Sequence, residues 1–150
     1  MPTSTKKSSR TRATGPEAAD QVRVPVGSEY DLVPARQKGR ELAESLGFSS
    51  SEATLVATTI SELARNIVTY AARGEIVLKG SDDGVRRGIT VIACDEGPGI
   101  ADVKLALQEG YSTSGGLGIG LPGVRRIMDE FRIESAPGRG TTVTATKWRQ

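Results

Sequence analysis

The chain has 150 residues, 37% of them hydrophobic and 25% charged, with a net charge of +2. That is the length of one domain with enough apolar material for a core, and no apolar run approaches the ~20 residues a membrane helix needs. Histidine is absent and cysteine occurs once, at Cys94, which excludes histidine acid–base catalysis, a phosphohistidine, most zinc sites and an internal disulfide.

Residues 1–21 carry Lys6, Lys7, Arg10 and Arg12 against Glu17 and Asp20, so the net charge of +2 resides there and the remainder is balanced. The stretch has no apolar centre, so it does not read as a secretory signal. It reads as a disordered basic tail, with residues 22–150 forming the folded domain. A basic tail on a neutral body is weak grounds for a nucleic-acid partner, and none is expected. The lone thiol suits a reducing cytoplasm.

VRVPV, Val22–Val26, predicts a short strand, and Pro25 places it at a sheet edge. Residues 30–46 predict a helix ended by Gly47. Ser49 and Glu52 form a capping-box pattern for a second helix, in which Val56, Ile60, Leu63, Ile67 and Ala71 recur at spacings of three and four. EIVLKG and GITVIACD predict two strands joined through SDDGVRR. After them comes a glycine-rich stretch, Asp95–Gly123, with a short helix near Asp102–Gln108. A further helix starts near Leu121, with Leu121, Val124, Ile127, Met128 and Phe131 on one side. FRIESA and TTVTATKW then pair as a hairpin around PGRG. The order β-α-α-β-β-loop-α-β-β, with strands in adjacent pairs, predicts an α+β layer with helices over one face of the sheet.

The stretch DEGPGIADVKLALQEGYSTSGGLGIGLPG holds eight of the eighteen glycines. Glycine is useful where backbone must approach something closely. No Gly-Lys pair exists, so this is not a P-loop. Gly118, Gly120 and Gly123 fit G-x-G-x-x-G, but the polar QEGYSTSG precedes them where a buried strand should, so that match is read as accidental.

Three other pieces carry chemistry. In SELARNIVTYA, Glu62 and Asn66 are four apart and share one side of a helix. An amide oxygen is a hard ligand suited to Mg²⁺, and a carboxylate can orient or deprotonate a hydroxyl. Alone, the segment also reads as the polar edge of an amphipathic helix, with Arg65 facing solvent. In DEGPG, Asp95 ends a strand and offers only acceptors. Alone, it also reads as a strand-ending turn. TSGGLGIGLPG presents Gly116, Gly118 and Gly120 ahead of a helix N-terminus, a natural anion site. Alone, it also reads as a mobile loop.

Together, in this order, the pieces resemble the ATP-binding fold shared by gyrase, Hsp90, histidine kinases and MutL. The resemblance implies a Bergerat-type two-layer sandwich, with a mixed, mostly antiparallel sheet and helices packed on one face. It implies ATP and Mg²⁺ as cofactors. Asn66 would bind the metal, Asp95 the adenine amino group, and Gly97 and Gly99 a turn beside the ring. Gly116, Gly118 and Gly120 would form a phosphate lid, Thr141 of the Gly140-Thr141 pair would help at the adenine end, and Glu62 would act as the catalytic carboxylate.

From Val22 to Trp148 the domain is most similar to the small bacterial anti-sigma regulatory serine/threonine kinases, and EGYSTSGGLGIGLPGVRRIMDEF is nearest their stressosome branch. That implies a cytoplasmic switch that phosphorylates a STAS-domain protein and controls a PP2C-type phosphatase. The alternative is a nucleotide-dependent anti-sigma factor that sequesters a sigma factor. Sister proteins often dimerise, so a homodimer is a further expectation. No membrane partner is implied. A gyrase or a histidine kinase would need segments not found here. Residues 110–123 contain no lysine or arginine, where some relatives carry a cation beside the phosphates.

Overall fold

Alternating burial along five short segments builds one sheet. In the computed structural model, which describes residues 21–108 and 119–150, β1 (Val22–Val26) buries Val24 and Val26 and exposes Arg23 and Pro25, the period of two that puts alternate side chains on opposite faces. β2 (Gly74–Asp82) and β3 (Arg87–Asp95) form a hairpin, and β4 (Glu130–Ser135) and β5 (Thr141–Trp148) form another. The sheet order is β1-β2-β3-β5-β4, with every neighbouring pair antiparallel. The expected α+β layer is therefore observed, and the strand holding Pro25 is at an edge, where its missing donor costs no ladder bond. The tail expected over 1–21 lies, except for Gln21, outside the described residues.

Two long helices cover one face. A 3-10 turn at Glu29–Asp31 leads into α1 (Leu32–Ser45), and α2 follows at Ser50–Ala71. The capping box closes as the sequence predicts: Glu52 N–H donates to Ser49 Oγ and Ser49 N–H to Glu52 Oε1, each at 3.1 Å. The stripe Val56, Ile60, Leu63 and Ile67 is fully buried against Ile76, Leu78, Ile89 and Val91 of the sheet. Each such side chain contributes roughly 1.5–3 kcal/mol of burial, so this interface fixes α2 over β2 and β3.

Two short helices, α3 (Val103–Ala106) and α4 (Gly120–Ile127), lie in the crossover from β3 to β4. The helix expected from near Leu121, with its apolar side reaching Phe131, stops at Ile127. Met128 is already extended, and Phe131 belongs to β4. Phe131 and Ile133 alternate with exposed Glu130, Arg132 and Glu134. Position 131 thus satisfies the helical spacing from Met128 and the strand spacing to Ile133 at once, and the pairing with β5 decides in favour of the strand. Lys147, reaching from β5, donates to the carbonyl of Ile127 at 3.1 Å and supplies positive charge where the helix dipole is negative.

Candidate functional site

β3 ends at Asp95, whose register partners are Gly74 at the start of β2 and Thr141 at the start of β5. Antiparallel pairing thereby brings DEGPG and the Gly140-Thr141 pair side by side. Above these strand ends run the last turns of α2, which contribute Leu63, Asn66, Ile67, Tyr70 and Ala71 to a cavity of about 390 Å³. The sheet adds Ala93, Asp95, Thr141 and Val143. The loop at 98–102, Ala106 of α3 and Leu121 of α4 complete the walls. The size is typical of a small-molecule site, and so is the make-up, apolar walls with a few polar groups.

The polar groups at the floor have defined roles. Asp95 Oδ1 accepts from Gly97 N–H at 2.9 Å. A carboxylate has about four acceptor positions, so most of its capacity faces elsewhere. Ser135 Oγ lies 3.0 Å from the Gly140 carbonyl and 2.7 Å from Thr141 Oγ1, and accepts from Ile100 N–H at 2.7 Å. A hydroxyl has one proton. If Ser135 gives its proton to the Gly140 carbonyl, Thr141 must donate to Ser135, and the lone pairs of Thr141 remain for the cavity. Asp95 and Thr141 then form a two-acceptor floor, matched to a ligand edge that carries donors.

Close backbone contacts hold this floor. Gly99 has φ +81°, and a Cβ there would lie 2.0 Å from the Ala136 carbonyl oxygen; Gly140 has φ +74°, and a Cβ there would lie 2.2 Å from the Asp95 carbonyl oxygen. Neither position accepts an L side chain without moving backbone. Gly97 packs against Ala71 of the cavity wall, where a Cβ would come within 2.6 Å of the Ala71 Cβ. It lets the strand end pass close under α2.

Glu62 lies one turn before Asn66 and is only 3% exposed. Its Oε1 accepts from Ile119 N–H at 3.0 Å and its Oε2 from Gly120 N–H at 3.2 Å. Arg65 Nη1 donates to Oε1 at 2.9 Å. Helix α4 has Ile119 at its N-cap position and no side-chain cap of its own, so Glu62 satisfies its first amides from another helix. Arg65 therefore does not simply face solvent, as its position beside the apolar stripe suggests.

Of the residues singled out in the sequence, Asn66, Asp95, Gly99 and Thr141 meet at the cavity. Glu62 and Gly120 are joined to each other just beyond it, the Gly120 N–H being engaged by the carboxylate. Gly116 and Gly118 lie outside the described residues. Sequence reasoning missed Tyr70, Arg65 and Ser135. Tyr70 had a signal, since it follows Asn66 by four and so shares its side of the helix. Arg65 follows Glu62 by three, the other spacing that brings helical side chains together.

Among the described residues no group of three or more His, Cys, Asp or Glu is placed to hold a metal ion. The half-buried Asn66 amide on the cavity wall fits a hard cation that takes its remaining ligands from water and phosphate. No helix among the described residues is long and apolar enough to cross a membrane.

Comparison with known proteins gives a consistent picture. Residues 51–150 match the family described as histidine kinase-, DNA gyrase B-, and HSP90-like ATPase. The serine/threonine-protein kinase RsbT of Bacillus subtilis (strain 168) is 49% identical over 129 residues, which cover 86% of this chain and 97% of that protein. An anti-sigma F factor of Thermoanaerobacter sp. (strain X514) is 32% identical over 120 residues, 76% of this chain and 82% of that one. The solved structure of the mycobacterial sensor histidine kinase MprB superposes with a TM-score of 0.51, covering 86% of this chain and 99% of that chain, at 13% identity. That last likeness bears on the fold alone.

Proposed function

The chain belongs to the histidine kinase-, DNA gyrase B-, and HSP90-like ATPase family, and we propose that it works there as an ATP-dependent serine/threonine kinase, a regulatory switch that phosphorylates a STAS-domain protein and controls a PP2C-type phosphatase in a sigma-factor pathway. The observation that carries this reading is the meeting of Asn66, Asp95 and Thr141 at one cavity with the buried Glu62 beside it, in a chain 49% identical to a serine/threonine kinase over nearly the whole of that kinase. The folded unit is residues 22–150, with 1–21 as a basic tail, and its setting is the cytoplasm.

In this reading the adenine ring enters the apolar cavity edge-on to its floor. Its amino group donates to Asp95, with Thr141 beside it. Gly99 keeps the 98–102 loop close to the ring, and Gly97 keeps Asp95 in place through its N–H. The phosphates extend past Asn66 toward the amides of Gly116 and Gly118, the Gly120 N–H being held by Glu62. Asn66 would hold Mg²⁺, which when bound would offset phosphate charge. Glu62 positions or deprotonates the acceptor hydroxyl. A bond forms from that oxygen to the γ-phosphorus, the bond from the γ-phosphorus to the β,γ-bridging oxygen breaks, and ADP leaves. Such transfer depends chiefly on positioning and charge stabilisation. Because residues 110–123 contain no lysine or arginine, the lid contributes amides and no cation.

The test is transfer of labelled phosphate from ATP to a purified STAS-domain protein. Glu62→Gln, which keeps an acceptor for the α4 amides, should keep nucleotide affinity and lower transfer by about 10²–10⁴-fold. Transfer near the wild-type rate would remove Glu62 from the chemistry. The second reading, capture of a sigma factor under nucleotide control, is favoured by the 32% identity to an anti-sigma F factor. Stable sigma binding without phosphate transfer would establish it in place of the first.

A further inference from the structure

We infer that Arg65 is a positioning residue for phosphoryl transfer: it anchors the Glu62 carboxylate and, through it, the first turn of α4. The inference rests on the kinase reading for its catalytic consequence and on the geometry alone for the anchoring.

Burial separates this ion pair from an ordinary surface one. The side chains of Arg132 and Glu134 are 74% and 66% exposed, whereas those of Arg65 and Glu62 are 33% and 4% exposed. A carboxylate withdrawn from water must be paired and hydrogen-bonded to stay charged. Here one guanidinium and two amides do this. Deleting the cation would leave Glu62 with neutral donors only.

Helix α4 makes the anchoring consequential. It is two turns long, GLPGVRRI, with two glycines and a proline in its first half and no side-chain cap. Such a segment cannot hold its helical state unaided. Its N-terminal amides depend on Glu62, and Glu62 depends on Arg65. The distribution of donors also selects an oxygen. Among the described residues Oε1 already accepts from Arg65 and Ile119, while Oε2 accepts from Gly120 alone. Oε2 is therefore the less engaged oxygen in these contacts, and it is the atom that meets an incoming hydroxyl. Arg65 decides which oxygen that is. Lysine is an imperfect substitute, because its ammonium lacks the planar fork that fixes a carboxylate's orientation.

The full-length chain is compared with Arg65→Gln and Arg65→Lys in three measurements. In the nucleotide-free protein, amide hydrogen exchange at Ile119 and Gly120 should speed up at least ~10-fold in R65Q, a size in keeping with loss of a supporting contact, while amides in α1 hold their protection. ATP affinity should stay within about threefold while kcat for the STAS-domain substrate falls about 10–100-fold. R65K should lie between, about 3–10-fold below wild type in kcat. Unchanged exchange and unchanged kcat in R65Q overturn the inference. If R65Q does not fold, R65K decides, since wild-type exchange and kcat in that variant overturn it equally. A wild-type chain that transfers no phosphate defeats the kinase reading instead, and the exchange measurement still settles the role of Arg65.

Discussion

The β2–β3 hairpin has an aspartate near each end, and the two are treated in opposite ways. At the turn, Asp83 accepts from the N–H groups of Val85 and Arg86 at 3.0 and 2.6 Å and from the Arg86 guanidinium through Nε and Nη2 at 3.0 and 2.9 Å. Arg86 in turn lies over the Trp148 ring, 4.3 Å from its centroid, and the Trp148 indole donates to Glu130 at 2.8 Å. At the open end, Asp95 accepts from Gly97 alone among the described residues. Asp83, though exposed, has its acceptor positions taken up by donors from its own turn. Asp95 retains unused acceptor capacity and faces a cavity of about 390 Å³. A carboxylate saturated by its own chain holds structure together, whereas one left short of donors beside apolar walls is equipped for a ligand.

Replacing the open acid is the most direct way to break that contrast. Asp95→Asn turns a group that only accepts into one that also donates. ATP affinity should fall about 10–100-fold, the range for losing a hydrogen bond to a charged partner. Preference for adenine over guanine nucleotides should weaken with it, and the melting temperature of the nucleotide-free protein should barely move. Titration calorimetry with ATP and GTP reads both effects. Unchanged ATP affinity would sink the assignment of Asp95 to the adenine, and a large fall in melting temperature would make it a structural acid like Asp83.

The same contrast explains what could be read from residues alone. Period and capping disclosed α2, because Val56, Ile60, Leu63 and Ile67 mark a face and Ser49 with Glu52 mark its start. Asn66, Asp95 and Thr141 were legible because each has a chemical type suited to one task and a place at an element end or flank. Arg65 was passed over because the apolar stripe assigned it to the solvent side, although its spacing of three from Glu62 was a usable signal. Ser135 was not legible, because it is 35 residues from Ile100 and joins that loop to the β4–β5 corner, a contact no local pattern encodes. Phe131 counts both on the helix side and as the first residue of FRIESA because its spacing suits both a helix and a strand, and only its pairing with Ala145 of β5 distinguishes them.

Ser135 offers a smaller and more selective perturbation of the open end. Ser135→Ala removes the acceptor for Ile100 N–H and the partner of Thr141 Oγ1 together. The 98–102 loop loses a tie, and the Thr141 proton becomes free to turn toward the cavity, where it would oppose a ligand donor. ATP affinity should drop about 3–10-fold, as for one neutral hydrogen bond. If binding is unaffected, the floor does not depend on this hydroxyl and Asp95 acts alone.

Asp83→Asn should have the least effect on ligand binding, and its signature is in acid. The donor N–H groups of Arg86 and Val85, followed by the Arg86 side chain, hold the Asp83 carboxyl well below its ordinary 3.8, at about 2. As the pH falls, the unfolded chain therefore takes up this proton before the folded one does. The stability contributed by the carboxylate is fully present above 3.8 and is lost as the pH falls through about 2. Wild type should melt above Asp83→Asn near neutral pH, the gap should close between pH 3.8 and about 2, and ATP affinity at neutral pH should be the same in both. A gap that persists at the acid end would mean the turn is held by shape and not by charge. A loss of ATP affinity would mean that the two ends of the hairpin are coupled, and that the saturated acid supports the open one across the length of the sheet.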